Sequence, residues 1–546
     1  MAGGDGMCGN QEQCHMLRKL GIRPFELVAI LAWGIACWGF FQFFYPYHFF
    51  YQEQNQLFLL TSEYLLSYRE KPAWLACMAG DFLTQFYYYL YAGAAILTLS
   101  LLTIGDLARR ALQHAGIKRG WAFVCAIIIM TMEAIFCLKT EFRLSSLMAL
   151  GGGLFSYLLL SPLFKHGRWT ATFIMAAASV PIYCMFGYGL WAFQALVIIY
   201  TCLHHRGKSL IWDITLLGLI VAITIALLAS GLHGYNLNAS SAMTYPGIGK
   251  PAMPDFILEK DLAADNEYHF GNYKKVEQMV ESDDNPTDEM LYFYNLVKAQ
   301  KGELPEHLLR FTPNQLGTFY QIGPKSNKLT IINMNELYWA LGDMTLTERA
   351  AMMTNVFSPQ NRNVRMIKRL AECNLVSGDT LAEQKYLRLL QKTWVYADWA
   401  KLMTQKEPKA YRYILEKRKF TNQADTIRLS DNLHRVMMEL LDSNPDNTVA
   451  LDYILCSTLL LKDIENFKRD YDRYCHNLGR DRIKPIYQQA LIIYLAGTNA
   501  PKEKWQEYIF DTAQMSLFME YNNKRRNPKY KDTYWYYFDT AKTPKP

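Results

Sequence analysis

An all-α protein in two parts is what the sequence predicts: a seven-span transmembrane helical bundle followed by a soluble domain of stacked helix pairs. Three observations carry this. Up to about residue 232 the chain is a series of long apolar runs, and a hydrocarbon core about 30 Å thick takes roughly 20 apolar residues to cross as a helix. From about Phe256 onward it is charged and amphipathic, with apolar residues at helical spacing and hardly any strand-like alternation. The 546 residues exceed what one compact core holds, and the mean hydropathy of −0.07 conceals two populations that cancel. The expected segments are a cytoplasmic N-terminus over 1–25, a transmembrane domain over 26–232, a linker over 233–255 and an extracytoplasmic helical domain over 256–546.

The spans read from the apolar runs are 26–45, 82–103, 121–138, 145–163, 170–187, 188–204 and 210–231. Cationic side chains in short loops are retained on the cytoplasmic side. Alternate loops, starting from the N-terminus, hold Arg18, Lys19, Arg23, Arg109, Arg110, Lys118, Arg119, Lys165, Arg168, Arg206 and Lys208, against Arg69, Lys71, Lys139 and Arg143 on the other side. This bias puts the N-terminus in the cytosol and, after an odd number of crossings, the tail outside; in a bacterium that is the inner membrane with a periplasmic tail. The turn at Gly187 to Gly189 matters most, because fusing the two runs there would reverse the tail. The Gly151, Gly152 and Gly153 run reads as close helix packing.

Charge excludes one partner class. After residue 232 the chain carries 42 Lys and Arg against 39 Asp and Glu, which leaves no basic field for nucleic acid. Cysteines lie singly, with no CxxC spacing for a zinc site or a disulfide framework. No GxxxxGK[ST], GxSxG or HExxH motif occurs, which argues against P-loop nucleotide and peptidase chemistry.

The loop over 46–81 is too long for a turn and too apolar to float in water. Leu57, Leu60, Tyr64, Leu65 and Tyr68 recur at helical spacing, so Gln56 to Tyr68 reads as an amphipathic helix on the membrane surface, ended by Pro72. Ionisable groups at this boundary, His48, Glu53, Glu63 and Asp81, are expensive unless they face water, a partner or a site. A carboxylate after the first span, a surface helix, a Pro near its end and re-entry into the bilayer resemble the first outer loop of GT-C type glycosyltransferases.

That resemblance implies transfer of a sugar from a polyprenyl-linked donor, with a loop acid as base or as ligand to a divalent cation. The matching position is Glu53 within YQEQ; a second acid of the next outer loop matches Glu141, or Glu133 inside the third span, and Asp81 lies at the mouth of the second. A positioned carboxylate can take the acceptor hydroxyl's proton as the sugar transfers. Arg69, Lys71, Lys139 and Arg143, on the same face, would hold a lipid pyrophosphate. The adjacent acidic pair often seen in that loop is missing. The plain alternative for Glu53 is an interfacial carboxylate paired with a nearby cation, and His204 and His205 read as flank residues.

In the tail, helical patterns of 10 to 17 residues alternate with short Gly, Asp, Asn or Pro breaks, such as Gly378-Asp379 and Asn444-Pro445-Asp446. The segments YWALGDMTLTERAAMM, RLAECNLVSGDTLAEQKYLRLL and NPDNTVALDYILCSTLL are similar to tetratricopeptide repeats. That likeness implies a concave face for a protein or peptide partner. The aromatic end, Tyr534, Trp535, Tyr536 and Tyr537, is expected to pack onto the last helices. The whole chain more loosely resembles a bacterial family of multi-span membrane proteins with a helical extracytoplasmic tail and no defined function, which contributes topology and no activity. Two functions follow as expectations: GT-C-like sugar transfer to an envelope acceptor, or a non-catalytic membrane scaffold whose repeat domain binds envelope proteins or peptides.

Overall fold

A computed structural model describes residues 24–166, 169–205, 208–311, 319, 328–421, 432–477 and 484–542. Arg18, Lys19, Arg23, Arg168 and Arg206, used above for orientation, lie outside them. Among the described residues the secondary structure is helical, without strands. Contacts divide the chain into two compact units: Met1–Glu259 with Lys392–Val395, and Lys260–Gln391 with Tyr396–Pro546.

In the first unit five helices are long and apolar enough to cross a membrane: Pro24–Phe43, Ala92–His114, Arg119–Phe136, Leu144–His166 and Leu210–Ser230. The expectation of seven is corrected to five among the described residues. Thr170–Phe186 and Gly189–His204 are also apolar helices, but of 17 and 16 residues; at 1.5 Å per residue they reach only about 24–26 Å, short of a core about 30 Å thick. They are separate helices, because Gly187 at φ +52° takes a left-handed conformation that ends the first. The second span begins at Ala92 instead of 82. Ahead of it come a short helix, Trp74–Thr84, a 3₁₀ turn, Gln85–Tyr88, and Tyr91 at φ +71°, which breaks the path. Outward faces remain apolar: Phe25, Ile35, Trp121, Phe173 and Leu219 are all exposed, the pattern a bilayer covers.

Inside the bundle, small residues and a few polar groups hold helices together. A Cβ placed on Gly153 would lie 2.0 Å from the Gly189 carbonyl oxygen, and one on Gly189 would lie 1.9 Å from that of Ala149. These two backbones are in contact, as small-residue helix interfaces allow. Gln194 Nε2 donates to Ser179 Oγ (2.9 Å) and Thr224 Oγ1 (3.3 Å), linking three helices. Arg119 pairs with Glu26 (2.6 Å), and Asp106 with Arg109 and Arg110 at helical spacing.

Two sequence readings are revised here. The segment read as a linker folds back onto the bundle: Asn238 caps a short helix, Ala239–Thr244, and its carbonyls at Ala242, Met243 and Tyr245 accept from the Tyr183 hydroxyl, Trp191 Nε1 and the Tyr188 amide. The surface helix expected from Gln56 to Tyr68 is instead a helix over Tyr47–Gln54, a non-helical stretch, and a short helix over Ser62–Ser67 capped by Thr61. Helix-like spacing failed because the Leu60 amide donates outside any helix, to the Lys392 carbonyl at 2.7 Å.

The second unit is built from short helices whose starts are capped as the turn residues suggest. Asp343, Asn363, Asp379, Asn447 and Asp463 each accept from a backbone amide in the first turn of the following helix. Gly378 at φ +82° closes Val364–Ser377 through its amide on the Asn374 carbonyl. After it come two separate helices, Thr380–Leu390 and Ala397–Thr404. The core is Thr448–Leu460, apolar and buried on every side from Val449 to Leu460. The aromatic end packs as expected: Tyr534 and Tyr537 donate to the Leu459 and Leu460 carbonyls, and Trp535 Nε1 to that of Gln489.

Candidate functional site

In the first unit the three expected acids differ in exposure: Glu53 is buried, Asp81 half-buried and Glu141 exposed. Glu53 is buried at the end of Tyr47–Gln54, beside Tyr88. That helix is fastened by Gln52 Nε2 to the Thr140 and Phe142 carbonyls (3.2 and 3.1 Å). Asp81, on Trp74–Thr84, accepts from the Tyr68 hydroxyl at 2.9 Å, and Tyr68 lies 3.0 Å from the Tyr64 hydroxyl. Burial pushes the Asp81 carboxyl up, while Arg143 and the Tyr68 hydrogen bond act against it. Burial and then Asp81 push the Cys77 thiol up to about 12, with Arg143 and Lys71 opposing. Asp81, Arg143 and Lys71 thus share one neighbourhood. Glu141 and Lys139 are exposed, as is Arg69, which lies over the Trp74 ring at 5.5 Å.

The second unit holds a cleft of about 620 Å³ that the sequence reading did not find. Its walls come from Phe256–His269, Tyr273–Glu281, Asp288–Gln300, Lys328–Leu341, Val364–Ser377, Ala397–Thr404, Pro408–Phe420 and Thr448–Leu460, and its aromatic lining includes Trp339, Trp399, Tyr413 and Phe420. Beneath it lies a buried ionic network. Arg365 forks onto Asp265 with two bonds of 2.7 Å and reaches Glu336 at 2.8 Å. Arg369 bonds Glu336 at 2.6 Å and pairs with Glu372 at 3.1 Å. His269 Nδ1 also meets Glu336, at 3.0 Å, and the Tyr413 hydroxyl donates to Glu372 at 3.1 Å.

Helical periodicity produces this arrangement. Arg365, Arg369 and Glu372 follow one another at i, i+4 and i+7 along one side of Val364–Ser377. Burial would raise Glu336, but Arg369 and Arg365 outweigh it and hold the carboxyl well below its ordinary value. Burial and then Arg365 press His269 down to about 3, so it is the neutral imidazole that meets Glu336.

Two further cations line the cleft. Lys417 donates to the Trp339 carbonyl at 2.7 Å, at the end of Lys328–Leu341, and lies 5.3 Å from the Trp339 ring centroid; the Arg369 guanidinium is 4.4 Å from the same ring. Lys368 lies 5.2 Å from the Trp399 centroid and 3.8 Å from Glu372. Burial, then Arg369, pushes the Lys417 ammonium down to about 7. A concave site of this size, with aromatic walls, a few converging polar groups and a shifted lysine, has the character of a small-molecule site.

The segments likened above to repeats contain Trp339, Arg369 and Glu372. The available signal was their charge: ionisable residues at inward positions of otherwise amphipathic helices. Among the described residues no group of three or more His, Cys, Asp or Glu could hold a metal ion.

No curated protein matches the chain, and no solved structure matches it. A family model does, over residues 22–541, and so spans both units. The chain therefore belongs to the family of unknown function DUF6057.

Proposed function

We propose that this is a membrane-anchored binding protein: the apolar helices hold it in a bilayer, and the helical tail takes a ligand in the Trp339–Trp399 cleft. The observation that carries this reading is the cleft itself, where aromatic walls and cations converge over a fully buried ionic floor. Rigid support of this sort is what holds a binding constellation in place. The helix pairs are compatible with a tetratricopeptide-like stack, whose other surfaces would meet envelope proteins or peptides.

Orientation belongs to the same proposal. Five spans or seven are both odd, so the loop charges put the N-terminus in the cytosol and the tail in the periplasm of a bacterial inner membrane. The experiment is a fragment screen by ligand-observed NMR on the full chain in lipid nanodiscs, with neutral, cationic and anionic fragments. Fragments that bind the wild type are expected to lose about tenfold or more in affinity on Trp399→Ala, in line with the loss of an aromatic anchor. Hits that ignore the substitution would remove the cleft from the account.

A second reading, GT-C-like sugar transfer from a polyprenyl-linked donor, is favoured by one observation: Asp81 and Arg143 act on each other at the outer loops, with Tyr68 bonded to the acid. Asp81 would then be the base and Arg143 with Lys71 the pyrophosphate holders. On that reading Asp81→Asn lowers the lipid-linked product about 100-fold or more, as loss of a general base does. Unchanged product in the variant removes it.

A further inference from the structure

Four carboxylates at and beneath the cleft each have a cationic partner. Asp265 has Arg365, Glu336 has Arg365 and Arg369, Glu372 has Arg369 and Lys368, and Glu416 has Arg412. Lys417 is the fifth cation. Its contacts are the Trp339 and Ala340 carbonyls, at 2.7 and 3.4 Å, and the Trp339 ring. The exposed Arg412–Glu416 pair balances itself, so with Lys417 charged the described cations at and beneath the cleft exceed the carboxylates by one.

We propose that the cleft binds a monocarboxylate with an aromatic or aliphatic body, and that Lys417 takes up a proton as the ligand enters. The inference rests on the reading of the tail as the ligand-binding part. One missing charge fits a carboxylate better than a phosphate monoester, which carries about −1.5 to −2 at neutral pH. The apolar body has Trp339, Trp399, Tyr413 and Phe420 to lie against. Arg369 is already committed to two carboxylates, so Lys417 is the group whose charge the ligand completes.

The groups that face Lys417 come from several helices. Glu336 and the Trp339 carbonyl lie on Lys328–Leu341; Lys368, Arg369, Glu372 and Cys373 on Val364–Ser377; His269 on Phe256–His269; Tyr413 and Glu416 on its own helix. Burial and Arg369 favour the neutral amine, with Glu336 and Cys373 opposing, and the ammonium is held at about 7. A ligand carboxylate beside it favours the charged form and raises that value. Above about 7 each binding event then brings in one proton, and affinity falls about tenfold per pH unit until the raised value of the complex is passed.

The test uses the full chain in nanodiscs with N-acetyl-L-tryptophan as the probe, N-acetyl-L-tryptophanamide as its neutral counterpart and phenyl phosphate as the doubly charged one. Calorimetry at pH 8 in two buffers of different ionisation enthalpy reads the proton directly. The acid is expected to bind at least tenfold more tightly than the amide and than phenyl phosphate, with uptake approaching one proton. Lys417→Arg, permanently charged, keeps the preference for the acid and loses both the uptake and the pH dependence, whereas Lys417→Gln loses the preference. Equal binding of acid and amide, or no binding of the acid, overturns the proposal, and so does wild-type binding without proton uptake. If neutral fragments still occupy the cleft in a Trp399-dependent way, the binding reading stands and only this inference falls; if nothing occupies it, both fall.

Discussion

Glu336→Ala is expected to unfold the second unit or to lower its stability by about 3–5 kcal/mol, the usual cost of stranding buried charge. Glu336 is 2% exposed and accepts from Arg365 on one oxygen and Arg369 on the other. Removing it leaves two guanidiniums facing each other, with Asp265 and Glu372 to share between them. Arg365, 1% exposed, would keep only Asp265 as its carboxylate partner. Circular dichroism melts of the full chain in nanodiscs check this, with a surface control, Arg412→Ala, at a side chain whose partner is an exposed neighbour on the same helix. The control is expected to cost less than about 1 kcal/mol. Equal melts for the two variants would mean that the network is not what holds these helices.

Gly153→Leu is expected to disrupt the first unit, while Gly151→Ala, two residues away, is tolerated. At Gly153 the added carbon meets a backbone oxygen of another helix at 2.0 Å, and backbone cannot rotate away. At Gly151 the nearest atom outside its own helix is Ile104 Cγ1 at 3.6 Å, an ordinary contact. Overpacking typically costs 1–3 kcal/mol, and more where backbones already touch. Gly153→Leu should therefore lower the temperature at which the detergent-solubilised protein aggregates by several degrees, with Gly151→Ala unchanged. A similar loss in both would place the tight crossing elsewhere.

The fold was legible where one local rule governs it. Apolar length located the helices of the first unit, and Gly378-Asp379 and Asn444-Pro445-Asp446 marked turns because left-handed backbone and side-chain caps are properties of the residues themselves. Reading failed where distant chain decides. Tyr91, not a Gly, takes a positive φ and delays the second span. Leu60 gives its amide to Lys392, more than 300 residues on, so the helical spacing around it was misleading. The stretch after His233 lacked periodicity, yet Tyr183, Trp191 and Tyr188 satisfy its carbonyls and order it.

The site was less legible than the fold. Asp81 and Arg143 each border an end of an apolar run in the sequence, but only the fold shows that Arg143 acts on the Asp81 carboxyl. The cleft could not be read in advance, since its lining comes from eight helices spread between Phe256 and Leu460. A lysine such as Lys417 looks in sequence like any other basic residue of KRK at a helix end. Only the fold of the tail shows that its ammonium turns inward, to the carbonyl of Trp339.

The most direct test of the central claim, that apolar helices anchor in a bilayer a tail exposed on its outer side, is the location of the C-terminus. Expressed in a bacterium and fused after residue 546 to alkaline phosphatase, active only outside the cytosol, the chain should show full phosphatase activity, and the same chain fused to a fluorescent protein that matures only in the cytosol should stay dark. Fluorescence without phosphatase activity would put the cleft in the cytosol and contradict the account.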